Sequence, residues 1–191
     1  MIALKQSKII FVPVASAMAL VALQALVLHF MGHPSVSTTH SLMVWVGEVH
    51  SRENSQQLTD WYTFSHVIHG FLFYVGLWLL FPKIPVWKRF ILAVACEAAW
   101  EILENTPMVI RHYRQQALAQ GYVGDSIINS LSDTCAMMLG FFLAWRMPVW
   151  ATVAAAFGLE AFTIYWVHDG LTLNILGFFW TPEFIAKWQS G

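Results

Sequence analysis

Charge is scarce in this sequence. Only 11% of its 191 residues are Asp, Glu, Lys or Arg, against about a quarter in a soluble domain. What charge there is balances, 10 basic against 11 acidic residues. That excludes the basic footprint of a nucleic-acid binder. Cysteine is nearly absent. Cys96 and Cys135 both lie in apolar segments without C-x-x-C spacing, which excludes a disulfide framework and leaves them as small apolar filler.

What fills the chain instead is hydrophobic. Apolar residues make up 58% of it and the mean hydropathy is +0.57. A soluble globular or a disordered protein is excluded. At about 20 residues per membrane crossing, the length accommodates one helical bundle and no soluble domain of ordinary size. Trp61, Trp87, Trp145, Trp150, Trp166 and Trp180 sit at the ends of apolar runs, as residues of the headgroup belts do.

The pattern predicts an all-α integral membrane bundle, a single domain with five transmembrane helices over about 9–31, 63–81, 90–108, 126–145 and 149–167. The first run is too long for a signal-peptide core and is read as an uncleaved span. The segment 32–62 is expected to be an interfacial helix or ordered cap, because the patch Leu42-Met43-Val44-Trp45-Val46 suits water badly. A short basic loop is expected at 83–89. Asp125 is read as N-cap of the fourth span. The tail, 171–189, is expected to be a re-entrant or interfacial segment with a short surface helix, begun by Thr181 as cap and Pro182 at the first helical position.

Orientation follows from the loops. Lys5, Lys8, Lys83, Lys88, Arg89 and Arg146 fall in short segments on one side. Arg52, Arg111, Arg114 and Lys187 fall in longer segments on the other. The positive-inside rule then predicts a bacterial inner-membrane protein with a cytoplasmic N-terminus.

The chemistry lies in the polar residues of the spans. His66 and His69 share one face of the second span. Glu97, Glu101, Glu104 and Asn105 follow on the third, and Asp125, Asn129 and Asp133 draw a stripe about 12 Å long on the fourth. Glu160 and the pair His168-Asp169 belong to the fifth. Each has a bland reading when taken alone. The histidines can bond backbone, Asn129 can glue helices, Asp60-Trp61-Tyr62 can anchor the interface, and Arg111 and Arg114 can lie on a solvated face. Taken together they converge at one membrane depth, where an ionisable group costs about 2.5–3.5 kcal/mol. The spans hold no compensating Lys or Arg, so these carboxylates must be protonated, paired with His, reached by Arg111 or Arg114, or neutralised by a cation.

A His and carboxylate set in a helical bundle has the ligand types of a zinc or di-metal site. The expectation is that His66, His69, Glu101 and Asp133 hold a divalent metal such as zinc. Glu104 or Asp125 would act as general base, with Arg111, Arg114, Asn105 and Asn129 binding substrate. The substrate would be a membrane lipid or another lipid-linked, amphiphilic molecule reached from the periplasmic leaflet. The alternatives are a non-catalytic lipid- or glycopeptide-binding envelope protein and a structural subunit of a membrane complex. Five spans without inverted repeats argue against a carrier.

The string Glu53-Asn54-Ser55-Gln56-Gln57-Leu58-Thr59-Asp60-Trp61-Tyr62-Thr63-Phe64-Ser65-His66-Val67-Ile68-His69-Gly70 resembles a small family of uncharacterised proteobacterial membrane proteins. So do Trp100-Glu101-Ile102-Leu103-Glu104-Asn105-Thr106 and 124–133. That resemblance brings a membrane fold and no activity. More loosely, Glu101, Asp125, Asn129 and Gly140 are similar to the pattern of the VanZ-like group of small envelope proteins. It implies a role near lipid-linked or glycopeptide-related envelope chemistry.

Overall fold

The computed structural model describes residues 2–190 other than 38, 40, 117 and 120, with side chains from residue 12 onward. Among these residues it is all-helical. In chain order come α1 (Ile2–Phe30), α2 (Thr63–Leu80), α3 (Val86–Glu104), α4 (Pro107–Tyr113), α5 (Ile127–Arg146), α6 (Val149–Val167), α7 (Leu171–Phe179) and α8 (Glu183–Gln189). Four stretches are long and apolar enough to cross a membrane: Val12–Phe30, Thr63–Leu80, Ile127–Arg146 and Val149–Val167. The fifth long helix, α3, has 19 residues, enough to cross at 1.5 Å each. It includes Lys88, Arg89, Glu97, Glu101 and Glu104, and it can do so because α1, α2 and α5 pack around it.

Proline punctuation explains where helices start and stop. The third helix begins earlier than expected, at Val86 directly after Pro85, so Lys88 and Arg89 lie in its first turn and not in a loop. It also ends earlier. Thr106 is extended before Pro107, as the residue before a proline prefers, and α4 restarts with Pro107 in its first turn. Asp125 is not the cap of α5. That role belongs to Ser126, whose hydroxyl accepts from the Asn129 amide. The Asp125 carboxylate is turned to other donors. At the tail, α8 starts one residue late, with Pro182 and not Thr181 at its N-cap. Neither α7 nor α8 is long enough to cross.

The main seam joins α2 to α5. It closes through Gly70 and Gly140, where a β-carbon would overlap the Met137 and Val67 carbonyl oxygens respectively. Ala17, Ala93, Val94, Met137 and Phe141 fill the space behind it. The first helix is tied on by a buried amide. Gln24 Nε2 donates to Ser130 Oγ at 2.9 Å, and Thr134 Oγ1 donates to Gln24 Oε1 at 2.9 Å.

The segment 32–62 is the ordered cap of the two alternatives expected, with no helix among its described residues. A bridge pairs Trp45 with Thr59, and Gln57 ties Met43 and Ser41 to it. The cap docks on the start of α5. Ile127 and Ile128 donate backbone bonds to Pro34 and Ser35, and Ser126 to Ser55. Cap, α4, the start of α5 and α7 thus crowd one end of the bundle. The basic residues Lys83, Lys88, Arg89 and Arg146 lie at the other.

Candidate functional site

Beneath the cap lies a cavity of about 1470 Å³. Its floor is built by α2 and α3. His66 and His69 stand one turn apart, and both turn Nδ1 to the same carboxylate of α3. His66 Nδ1 is 2.6 Å from Glu97 Oε1, and His69 Nδ1 is 3.1 Å from Glu97 Oε2. Glu97 is fully buried. An ionised carboxylate is acceptor-only, so against Glu97 each ring donates from Nδ1. Both rings line the cavity.

Two further carboxylates frame His66. Glu101 accepts from Ser130 Oγ through Oε2 at 2.6 Å. Its other oxygen is buried, lies 3.3 Å from His66 Nδ1 and has no hydrogen-bond partner. Asp133 accepts from Thr63 Oγ1 at 2.9 Å and stands 3.8 Å from His66 Nε2. Glu101 and Asp133 therefore address opposite edges of one imidazole. Among the described residues, the expected quartet of His66, His69, Glu101 and Asp133 is not brought together as one group. The groups whose ligand atoms do converge, within 4.8 Å of one another, are His66, His69 and Glu97, and His66, Glu101 and Glu104.

The wall above is made of tyrosine–carboxylate pairs. Tyr122 donates to Asp125 Oδ1 at 2.9 Å, and Tyr62 donates to Asp169 Oδ2 at 3.0 Å. Tyr113 stands beside Glu104. Burial pushes all three phenols above their usual range, and the neighbouring carboxylates push the same way. Burial likewise lifts the Asp125 carboxyl, against opposing bonds from Asn105 and Tyr122. It raises Asp169 to about 6, against bonds from Gly170, Tyr62 and Asn174.

The expected substrate contacts fall differently. Asn105 is buried and does not line the cavity. Its amide nitrogen donates to Asp125 Oδ2 at 2.8 Å and to the Glu101 carbonyl at 2.9 Å, and its oxygen accepts the Asp125 N–H. It latches the end of α3 to the entry of α5. The His33 ring adds to the latch, with its two nitrogens 3.0 Å from the Asp125 and Asn105 carbonyls. Asn129 does line the cavity, but its amide donates to the Gln57 carbonyl at 2.8 Å. Arg111 and Arg114 are exposed and off the cavity, and Arg114 is spent on the Tyr122 carbonyl. The guanidinium that lines the cavity is Arg52, from the cap.

Glu160 is elsewhere too. Its carboxylate accepts from the Leu171 and Thr172 amides at 3.1 and 2.7 Å, capping α7. Phe178 of α7 stacks on His112 at 4.8 Å, which sets α7 as the apolar side wall.

Helical spacing had placed Glu97 one turn from Glu101, and that was the available signal for it. Nothing in the sequence marks the Tyr62–Asp169 pair, 107 residues apart, or the turn of the cap that delivers Arg52.

A family profile described as "Protein of unknown function (DUF2585)" matches residues 28–191. The chain is similar to a UPF0314 protein of Sphingopyxis alaskensis, 47% identical over 175 residues, covering 92% of this chain and 93% of that one. It is similar to a UPF0314 protein of Paracoccus denitrificans, 44% identical over 178 residues, covering 93% and 92%. UPF0314 protein R03235 of Rhizobium meliloti is 50% identical over 177 residues, covering 92% of this chain and 89% of its own. No solved structure matches.

Proposed function

We propose that this chain, which belongs to the DUF2585 protein family of unknown function, is a metal-dependent membrane enzyme acting on an amphiphile held in its cavity. The observation that supports this best is the floor. One buried carboxylate grips two histidines there, beside a Glu101 oxygen that has no partner. A buried acceptor left unpaired costs about 1–3 kcal/mol, so a missing positive partner accounts for it.

The donor set fits a divalent cation such as zinc. Nitrogen and oxygen ligands about 2.0–2.2 Å from an ion in a tetrahedron stand about 3.4 Å apart. The separations of His66 Nδ1 from Glu101, 3.3 Å, and of His69 Nδ1 from Glu97, 3.1 Å, are close to that, and an ion there would displace the Nδ1 protons. The 2.6 Å separation of His66 and Glu97 is hydrogen-bond length, so Glu97 would open slightly on loading. His66, His69 and Glu97 would hold the ion, leaving its fourth position to a water beside Glu101. Bound there, the ion would supply a water acidic enough to lose a proton near neutral pH.

The chain's own residues do the rest. Glu104 stands on the wall beside His66 and Glu101 and takes the proton as general base. Both Asp125 oxygens are occupied by Asn105 and Tyr122, so Asp125 shapes the wall and holds Tyr122 in place. Trp100 and Phe178 give the apolar part of a substrate a place to lie. Hydrolysis or group transfer at a phosphate or acyl ester suits this arrangement. The clustering of Lys83, Lys88, Arg89 and Arg146 at the far end supports an inner-membrane setting with the cavity facing the periplasm.

Metal analysis of the detergent-purified chain tests the reading. About one equivalent of divalent metal is expected in the wild type, and less than a tenth of that in His66→Ala and Glu97→Gln. Metal-free wild type would overturn the enzyme and leave an amphiphile-binding protein.

A further inference from the structure

We infer that the amphiphile taken by this cavity bears an ammonium group in its head. The inference rests on the cavity holding an amphiphile, as proposed above, and not on the metal.

Two tyrosines on the wall, Tyr62 and Tyr122, spend their hydroxyl protons on carboxylates, and a third, Tyr113, stands beside Glu104. The wall is thereby left rich in acceptors and poor in donors. Asp125, Asp169 and Glu104 all line the cavity. An anionic head would be repelled there, whereas a cation finds both carboxylates and ring faces. Tyr113 and Tyr122 pack edge to face at 5.6 Å, beside Phe178 at 5.4 Å from Tyr113. Aromatic faces backed by carboxylates are the chemistry that recognises amines and quaternary ammonium ions.

One charge of the opposite sign stands apart. Arg52 of the cap lines the same cavity, is exposed, and has no carboxylate partner among the described residues. It fits the phosphate of a head whose ammonium lies deeper. The cavity's size, about 1470 Å³, exceeds the roughly 300–1,000 Å³ of small-molecule sites and leaves room for acyl chain against α3 and α7.

The test is native mass spectrometry of the full chain released from a non-ionic detergent. The probes are short-chain lipids with phosphocholine, phosphoethanolamine or phosphoglycerol heads below their micellar concentrations. Choline and ethanolamine alone form the head-only arm. Half-saturation by the two ammonium lipids is expected at concentrations at least tenfold lower than by the phosphoglycerol lipid. That preference should fall to less than threefold in Asp169→Asn and Glu104→Gln, and the head-only arm should bind at least tenfold more weakly than the lipids. Should neither variant fold, the wild-type ratio decides. Phosphoglycerol bound as tightly as the ammonium lipids, or no adduct with any probe, would overturn the inference. Free choline bound as tightly as its lipid would overturn the amphiphile. Metal content read on the same samples separates the two proposals. Ammonium preference in metal-free protein sinks the enzyme reading alone, and metal-loaded protein without the preference sinks this one alone.

Discussion

Helices α3 and α6 are both 19 residues long, yet they have opposite surroundings. In α6, Thr163 is the one buried residue, and Trp150, Phe157 and Tyr165 are about three-quarters exposed. In α3, Arg89, Glu97 and Glu101 are all buried. Of the two, the helix that looks more at home in lipid is the one the fold leaves facing it. The helix with the most charge is enclosed by its neighbours, where those charges can be paired. Apolarity here reports a helix's outer face, and the candidate chemistry sits where apolarity is lowest.

That contrast can be broken or sharpened by substitution. The largest effect is expected at the seam that backs α3. Gly140→Leu drives a side chain into the Val67 carbonyl, an overpacking with no flexible neighbour to yield. We expect more than about 4 kcal/mol of destabilisation, seen as loss of the monodisperse peak in size-exclusion chromatography of the solubilised protein. Recovery of a normal peak would show that α2 and α5 separate more easily than their backbone contact implies.

Glu97→Leu comes next. It strips both histidines of their shared acceptor, and removing one partner of a buried pair costs about 3–5 kcal/mol. A fall in thermal midpoint should accompany loss of bound metal. An unchanged midpoint would place the histidines in water and not in a closed floor.

A smaller effect is expected from pH, at the corner that joins α6 to α7. Asp169 has a folded pKa of about 6 against an ordinary 3.8. As pH rises, the unfolded chain releases this proton first, so folding loses stability between about pH 4 and 6 and is level outside that window. At 1.36 kcal/mol per unit the loss is about 3 kcal/mol at most. Thermal midpoints of the wild type and Asp169→Asn, compared at pH 4 and pH 7, should show a decline that is larger in the wild type. Parallel curves would mean that the Asp169 carboxyl titrates as it does in water.

The smallest effect belongs to the lipid face. Phe157→Leu on α6, at a side chain 74% exposed, should move the midpoint by less than what about 0.5 kcal/mol produces. A larger change would reveal a partner packed on α6.

Much of the architecture was legible before any coordinates. Helices α2, α5 and α6 begin and end within a residue of the expected runs, α3 lies four residues earlier, and α1 starts seven residues before the expected run. Helix parity then put His66, Glu101, Asp125 and Asp169 at one end. The errors cluster where neighbours in space compete for one group. Asp125 had a better offer from Asn105 and Tyr122 than from its own helix, so Ser126 took the cap. Arg114 lies off the cavity with its Nε on the Tyr122 carbonyl, and Arg52 of the cap lines it instead. Glu101 and Asp133 reach His66 from two different helices, and which ring edge each meets is not encoded in spacing.

By itself the sequence determined the class of the protein: a helical membrane bundle with its polar groups at one end. Burying so many apolar residues requires lipid, and helical periodicity orders the rest. Only the tertiary structure decided which carboxylate meets which histidine, and which hydroxyl is spent. Those pairings join residues as much as 107 positions apart, and they depend on rotation of one helix against another and on the fold of the cap, which a linear pattern does not specify.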